Sequence, residues 1–476
     1  MHADKLFQRF EAGGQRVFII VNVRKAGAFP DRPNLESAGE RENLRRWVRR
    51  GQERIIGRLD SNQVRVIRRF EFLSAIAAEV TLRGLEEILG MEEVLSVEED
   101  GVLKLHTKQG IPLMNATQPR TEFGGNGVSI AVCDTGIDYT HPKLGGGAFP
   151  NGKVIGGYDF GDEDGNPMDA NGHGTNCAGI AAGNIGSTGD YIGGVAPEAK
   201  LYALKVTQGT GGEAYNSDLI AAWEWSIDHK NDSPATPILI ISTSLGTGGF
   251  TSACDNYSPS MTQAASNVTA AGITLFASSG NSGYCDKIAF PGCISHIISV
   301  GAVFDASLGT LGFCVEPESC APNKESHPSC TPTKRLVAWS YSIPPNRETP
   351  YSNTANFLGL FAPSHNAYTT ARGGGYTSNF GGTSAACPYA AGAAAVLQSA
   401  AKTLNGGFLA PGSVRSILAG TGDLITDVKI SHQKRRINLG NAVAALTSSV
   451  PAAGPSILIM GLPILAGVLI LRRKSR

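Results

Sequence analysis

From Gly127 to Val303 the chain repeats one pattern: a short apolar run of β-branched and small residues, then a longer segment with apolar positions at helical spacing. Strands are read at residues 128–133, 201–206, 238–242, 273–277 and 296–303, and helices from 173 and over 217–229 and 261–271. Nearly continuous apolar strands are those covered on both faces. Their alternation with helices implies βαβ units, hence an α/β fold with a mostly parallel sheet and helices on both faces. In such sheets ligands bind beyond the carboxyl ends of the strands, so chemistry should be sought there.

Four polar blocks stand out, two of them just past such strand ends and two at the start of helices. The run 128–133 ends in Asp134-Thr135-Gly136, which presents a carboxylate at a strand tip. Asn171-Gly172-His173-Gly174-Thr175 opens an Ala/Gly-rich helix with an imidazole, and Ser278-Ser279-Gly280-Asn281 follows the run 273–277. Gly381-Gly382-Thr383-Ser384 delivers a hydroxyl onto an Ala-rich helix read at 384–402. A side chain there meets unpaired helix N–H groups and the positive end of the helix dipole, which suits a nucleophile whose attack creates a negative oxygen. A serine in that place is also an ordinary helix cap. Its company distinguishes it: hydroxyl, imidazole and carboxylate are the set that nucleophilic acyl transfer requires. Their order, Asp then His then Ser, separates this chain from the chymotrypsin and α/β-hydrolase arrangements.

On these blocks, DTGID at 134–138, NGHGTNCAG at 171–179, SSGNSG at 278–283 and GGTSAACPYAAG at 381–392, the chain resembles the subtilases, the subtilisin-like serine peptidases, from about residue 110 to 446. The resemblance implies a serine endopeptidase with Asp134, His173 and Ser384 as catalytic residues and Asn281 as an oxyanion donor. It also implies that Ser244, Leu245 and Gly246, with Ser279 and Gly280, bind a peptide or protein substrate as an added strand. Small residues at Gly246 and 277–280 imply a roomy primary pocket with broad apolar preference. Asn176 and Cys177 depart from the commoner HGTHVAG, and Ala385, Cys387 and Tyr389 from GTSMATPHVAG; none is a triad position. A catalytically silent surface binding protein, or an esterase or amidase on the same triad, are the competing readings.

Charge divides the chain. Of its 82 charged residues, 35 fall in the first 105, although the net charge is zero and offers no case for nucleic acid. Residues 1–105 read as strand, helix, two strands, helix, strand, a small ferredoxin-like α+β domain. Before a subtilase domain this resembles the family propeptide, an intramolecular inhibitor and folding aid removed by autoprocessing within 102–110. Residues 106–447 form the peptidase domain, expected to work as a monomer, and 448–456 a Ser/Ala/Pro linker. Residues 457–476 read as an apolar helix with a basic end, a membrane anchor or sorting tail. Its uncharged run of 15 residues is short against the about 20 that a membrane helix needs. No apolar leader is visible at the N-terminus, yet the cysteines point to export to the cell surface or beyond. Six of nine, Cys254, Cys285, Cys293, Cys314, Cys320 and Cys330, lie in loop-like surroundings and are expected to form disulfides. Six cysteines allow 15 pairings and the sequence does not choose among them; Cys254 with Cys293 and Cys320 with Cys330 are offered as guesses, while Cys133, Cys177 and Cys387 read as buried thiols.

No cofactor is needed for this chemistry. The acidic loop 158–169 offers Asp162, Asp164 and Asp169 as candidate ligands for a structural calcium, against the plainer reading of a solvated turn. Residues 304–345 interrupt the resemblance.

Overall fold

In the computed structural model, residues 6–7, 10, 15–24, 38–99, 110–330, 335–341, 343–426, 429 and 433–448 are described. The chain forms two compact units, Met1–Lys104 and Leu105–Arg476. Of the processing region expected at 102–110, residues 102–109 lie outside the described residues, as does the tail from 449 onward. Among the described residues no helix is long and apolar enough to cross a membrane.

The first unit runs β1 (Val17–Val23), α1 (Ala38–Ile56), β2 (Val64–Arg69), β3 (Ala75–Val80), α2 (Leu82–Leu89) and β4 (Val94–Glu99). Its antiparallel sheet has the order β2-β3-β1-β4, the ferredoxin-like arrangement expected from the sequence. Period-two burial drives it: Val17, Ile19, Val21 and Val23 face a core shared with Ile55, Leu85 and Ile88, while Phe18 is exposed. Thr81 caps α2, its hydroxyl accepting from Gly84 N at 3.2 Å.

The second unit continues with β5 (Ser129–Asp134), β6 (Val154–Asp159), α3 (His173–Ala182), β7 (Lys200–Lys205), α4 (Asn216–Asp228), β8 (Ile238–Thr243) and β9 (Thr247–Phe250). Next come α5 (Pro259–Ala270), β10 (Thr274–Ser278), β11 (Ile288–Phe290) and β12 (Ile298–Val303). The interruption at 304–345 folds into β13 (Leu311–Val315), β14 (Lys324–Glu325) and β15 (Leu336–Ser340), a small antiparallel sheet of its own. Then follow β16 (Leu360–Pro363), the hairpin β17 (Ala367–Ala371) and β18 (Gly375–Phe380), α6 (Thr383–Asn405), α7 (Pro411–Thr421), β19 (Asp423–Thr426), β20 (Gln433–Arg436) and α8 (Leu439–Ser448).

The central sheet has nine strands in the order β19-β20-β16-β12-β10-β8-β5-β7-β6, parallel except for the β19/β20 pair. Alternation within each strand feeds two cores. In β5, Ile130 and Val132 join the core containing α3, α6 and α8, while Ala131 and Cys133 join the one containing Trp223 of α4 and Met261 of α5. Helix α6 is buried from Thr383 to Ala401 apart from Ser384, and its alanines let it lie close against sheet and neighbouring helices.

Two features differ from the sequence reading. Strand β6 was not expected, because two glycines break its apolar pattern. They are required by close packing: a Cβ on Gly157 would lie 1.9 Å from the Ala203 carbonyl oxygen of β7. Tyr158 and Asp159 consequently belong to a strand rather than to the acidic loop. The disulfides are Cys254–Cys293, as expected, Cys285–Cys320 and Cys314–Cys330. The pairing of Cys320 with Cys330 is therefore corrected. Nearness in sequence misled, since the small sheet turns Cys330 toward β13 and leaves Cys320 against the loop after β10. Cys133, Cys177 and Cys387 are free and buried, as read.

Candidate active site

The carboxyl ends of β5, β8 and β10 are adjacent in the sheet, and the amino ends of α3 and α6 meet them there. Asp134 ends β5 and is fully buried, and its Oδ1 lies 2.7 Å from His173 Nδ1. A carboxylate only accepts, so the imidazole proton sits on Nδ1 and Nε2 is left to accept. The same Oδ1 takes Thr135 N at 2.8 Å, while Oδ2 has no hydrogen-bond partner among the described residues. Burial opposes charging of His173, but Asp134, through charge and hydrogen bond, and then Asp169 outweigh it and raise the imidazole above its ordinary range. The ring is about a quarter exposed and meets Phe380 edge-on at 5.2 Å.

The approach of α3 to β5 depends on Gly174. A Cβ there would lie 2.1 Å from the Gly136 carbonyl oxygen and 3.2 Å from Asp134 Cβ. Asp169, read from sequence as a calcium candidate, fixes this junction. Its carboxylate accepts from Gly172 N at 2.7 Å, Thr175 N at 2.9 Å and the Thr175 hydroxyl at 2.5 Å, and from the Thr135 hydroxyl at 2.9 Å. Thr135 Oγ1 in turn accepts from Gly174 N at 2.9 Å. Sequence reasoning missed this role, since a carboxylate four residues before a helical histidine looks the same whether it caps or ligates. Asp162 is also engaged, by Lys205 and by Gly209 N at 3.0 Å, and Asp164 accepts from Asn166 N at 2.8 Å. Among the described residues these three carboxylates do not gather within 4.8 Å of one another, so they do not fit together as the calcium ligands that the loop offered in sequence.

Ser384 is the second residue of α6. Pro388 stands four residues on and has no N–H, so the Ser384 carbonyl lacks its helical partner. Neighbouring elements supply substitutes: the Ser244 hydroxyl donates to it at 3.0 Å and the Cys177 thiol at 3.6 Å. Cys177 also lies 3.8 Å from His173 Nδ1, bringing imidazole and serine turn together around one sulfur. Burial pushes the Cys177 thiol well up and Cys387 to about 11, so both stay protonated near neutrality. Asp134, His173 and Cys177 bring one potential ligand atom each within 4.8 Å. A protonated thiol and an Nδ1 already committed to Asp134 make this a poor metal centre. The Ser384 hydroxyl donates to the Ser244 carbonyl at 3.3 Å, and no hydrogen bond joins it to His173. Catalytic hydrogen bonds are often long or misaligned without substrate, and rotation about the Ser384 Cα–Cβ bond redirects the hydroxyl.

Asn281 follows β10, and its Oδ1 accepts from Thr383 N at 2.8 Å and the Thr383 hydroxyl at 3.0 Å. With the oxygen so committed, the amide's Nδ2 is its free donor beside the serine turn. Gly280 N donates to the Thr383 hydroxyl at 3.1 Å. Ser279 is fully buried, its hydroxyl donating to the Asn353 carbonyl at 2.8 Å. Ser244 is nearly buried and committed to Ser384 on both sides, whereas Leu245 and Gly246 line a cavity of about 410 Å³ with Tyr215, Leu219, Thr247 and Phe290.

Residues 125–437 match the model of the subtilase family, peptidase S8. The chain is 34% identical over 252 residues to serine protease AprX of Bacillus subtilis, covering 50% of this chain and 53% of AprX, about half that protein's length. It is 31% identical over 298 residues to an intracellular serine protease of Paenibacillus polymyxa, covering 61% and 72%. To subtilisin E of Bacillus subtilis it is 29% identical over 343 residues, covering 70% and 73%.

Proposed function

The chain belongs to the subtilase family, and from that premise we propose that it is a serine endopeptidase whose triad is Asp134, His173 and Ser384. Ser384 Oγ attacks the scissile carbonyl carbon as His173 Nε2 takes its proton. The imidazolium, held by Asp134, then protonates the leaving amine, and water repeats the sequence on the acyl-enzyme. Asn281 Nδ2 and the Ser384 N–H receive the carbonyl oxygen as it becomes negative. The observation that carries the reading is the 2.7 Å bond between His173 and the buried Asp134, which leaves Nε2 as a neutral base beside the N-terminus of α6. The cavity beside Leu245 and Gly246 supports a peptide bound along that edge with an apolar side chain inserted. All three triad residues come from one chain, so no second copy is needed.

Residues 1–105 act in this reading as the propeptide, supported by a compact unit with its own core that ends at Lys104. Three disulfides support an oxidising compartment. The surface-anchor reading rests on the apolar sequence of 457–471 alone.

The test is covalent labelling of the processed protein with a fluorophosphonate probe beside a Ser384→Ala variant. Label that requires Ser384, with cleavage of peptide amides, is expected. Absence of Ser384-dependent label would leave a silent relative, and turnover of esters without amides would leave an esterase.

A further inference from the structure

The segment at 304–345 reaches the loop that carries Asn281. Three successive carbonyls of that loop each take a donor from it. Glu316 N donates to Ser282 O at 2.9 Å and the Ser319 hydroxyl to Gly283 O at 2.7 Å. Arg335 Nη2 donates to Asn281 O at 3.0 Å. Arg335 is itself held, with Nε 3.2 Å from Glu316 Oε1 and its own N–H on Cys330 O at 3.3 Å. Cys285–Cys320 fastens the segment to the loop just past these carbonyls, and Cys314–Cys330 fastens β13 to the stretch leading to Arg335. On its other side the loop is held by the core of the unit, with Ser282 N and Tyr284 N on Asn353 Oδ1 at 3.0 and 3.1 Å.

We propose that Arg335 is a positioning residue for the oxyanion site: it clamps the main-chain carbonyl of Asn281 while Thr383 clamps its side-chain oxygen, and together they set where Nδ2 points. Asn281 is thereby gripped at both ends, by a charged donor from the segment and by the turn that bears Ser384. A guanidinium suits the task, because its fork bonds the carbonyl through Nη2 while its Nε edge keeps an ion-pair contact with Glu316 at 3.2 Å, a reach over two atoms that a compact ammonium lacks. The inference rests on the reading of Asn281 as oxyanion donor and extends the site to a segment outside the subtilase motifs.

The experiment is a double-mutant cycle on the processed enzyme: wild type, Arg335→Ala, Asn281→Ala and the double variant, with Arg335→Lys as the conservative control. kcat and KM are measured on a peptide anilide and expressed per site titrated by the fluorophosphonate, so that misfolded protein is not counted. Loss of an oxyanion donor costs about 10²–10³-fold in kcat, and its misdirection a part of that. Arg335→Ala is expected to lower kcat on the order of tenfold with KM within about twofold, and Arg335→Lys to recover part of the loss. In the Asn281→Ala background, Arg335→Ala should change kcat by less than about twofold. If Arg335→Ala keeps wild-type kcat, or if its loss persists undiminished without the Asn281 amide, the positioning role is overturned and the oxyanion reading survives. If Asn281→Ala itself keeps kcat, the oxyanion reading falls and this proposal with it.

Discussion

Replacing Gly174 by alanine tests whether the triad depends on how closely α3 approaches β5. The added Cβ would meet the Gly136 carbonyl oxygen at 2.1 Å, short of a tolerable 3.0 Å by about 0.9 Å, and the obstacle is backbone that cannot rotate away. The start of α3 must therefore retreat by about 1 Å. Added to the 2.7 Å between His173 and Asp134, that carries the bond past hydrogen-bonding range. A 1 Å misplacement of a reacting group costs about 10²-fold, so kcat/KM on a peptide substrate should fall by about that factor. Stability should change less. Overpacking costs about 1–3 kcal/mol, and replacing a helical glycine by alanine returns about 1 kcal/mol. The assay is kcat/KM together with the rate of fluorophosphonate labelling, each beside a denaturant midpoint. A variant with kcat/KM within about threefold of wild type would refute the reasoning, since the helix would then have absorbed the methyl without moving His173.

Other outcomes follow from the same geometry. The acidic limb of kcat/KM should lie above the ordinary imidazole range, because His173 must be neutral to act as base and Asp134 holds its proton. Asp134→Asn should lower that limb and reduce kcat by about 10⁴-fold, a magnitude known from other triads. The same pair contributes stability that is fully present below the unfolded imidazole pKa and is lost as pH rises through the raised folded value, which pH-dependent denaturation would read. Cys133, Cys177 and Cys387 should resist a thiol reagent at pH 8 in the folded protein and all react after denaturation; modification of Cys177 in the native state would contradict its burial. Replacing Cys285 and Cys320 by serine should lower stability by about 2–4 kcal/mol, read as a shifted denaturant midpoint.

What the sequence disclosed depended on whether a residue's task is local. Asp134, His173 and Ser384 were readable because each sits at an element boundary marked by its own glycines, and the structure joins the first two and brings the third to the same end of the sheet. Apolar strands such as Ile238–Thr243 were legible as nearly continuous apolar runs, with ends shifted by one or two residues. Strand β6 was hidden because its glycines serve the neighbouring strand rather than its own propensity. The capping role of Asp169 was not legible because its partners, Thr135 and Thr175, belong to two different elements. The pairing of Cys285 with Cys320 depends on how a small separate sheet docks, which spacing along the chain does not encode.

The order of strands in the central sheet bears on when the candidate site can form during folding. Strands β5, β8 and β10 lie side by side only after the chain between residues 129 and 278 has closed its crossovers, and parallel pairings over such separations form late. A partly folded intermediate lacking any of these strands cannot bring Asp134, Ser244 and Asn281 to one edge. The candidate site is therefore complete only once all three strands have paired.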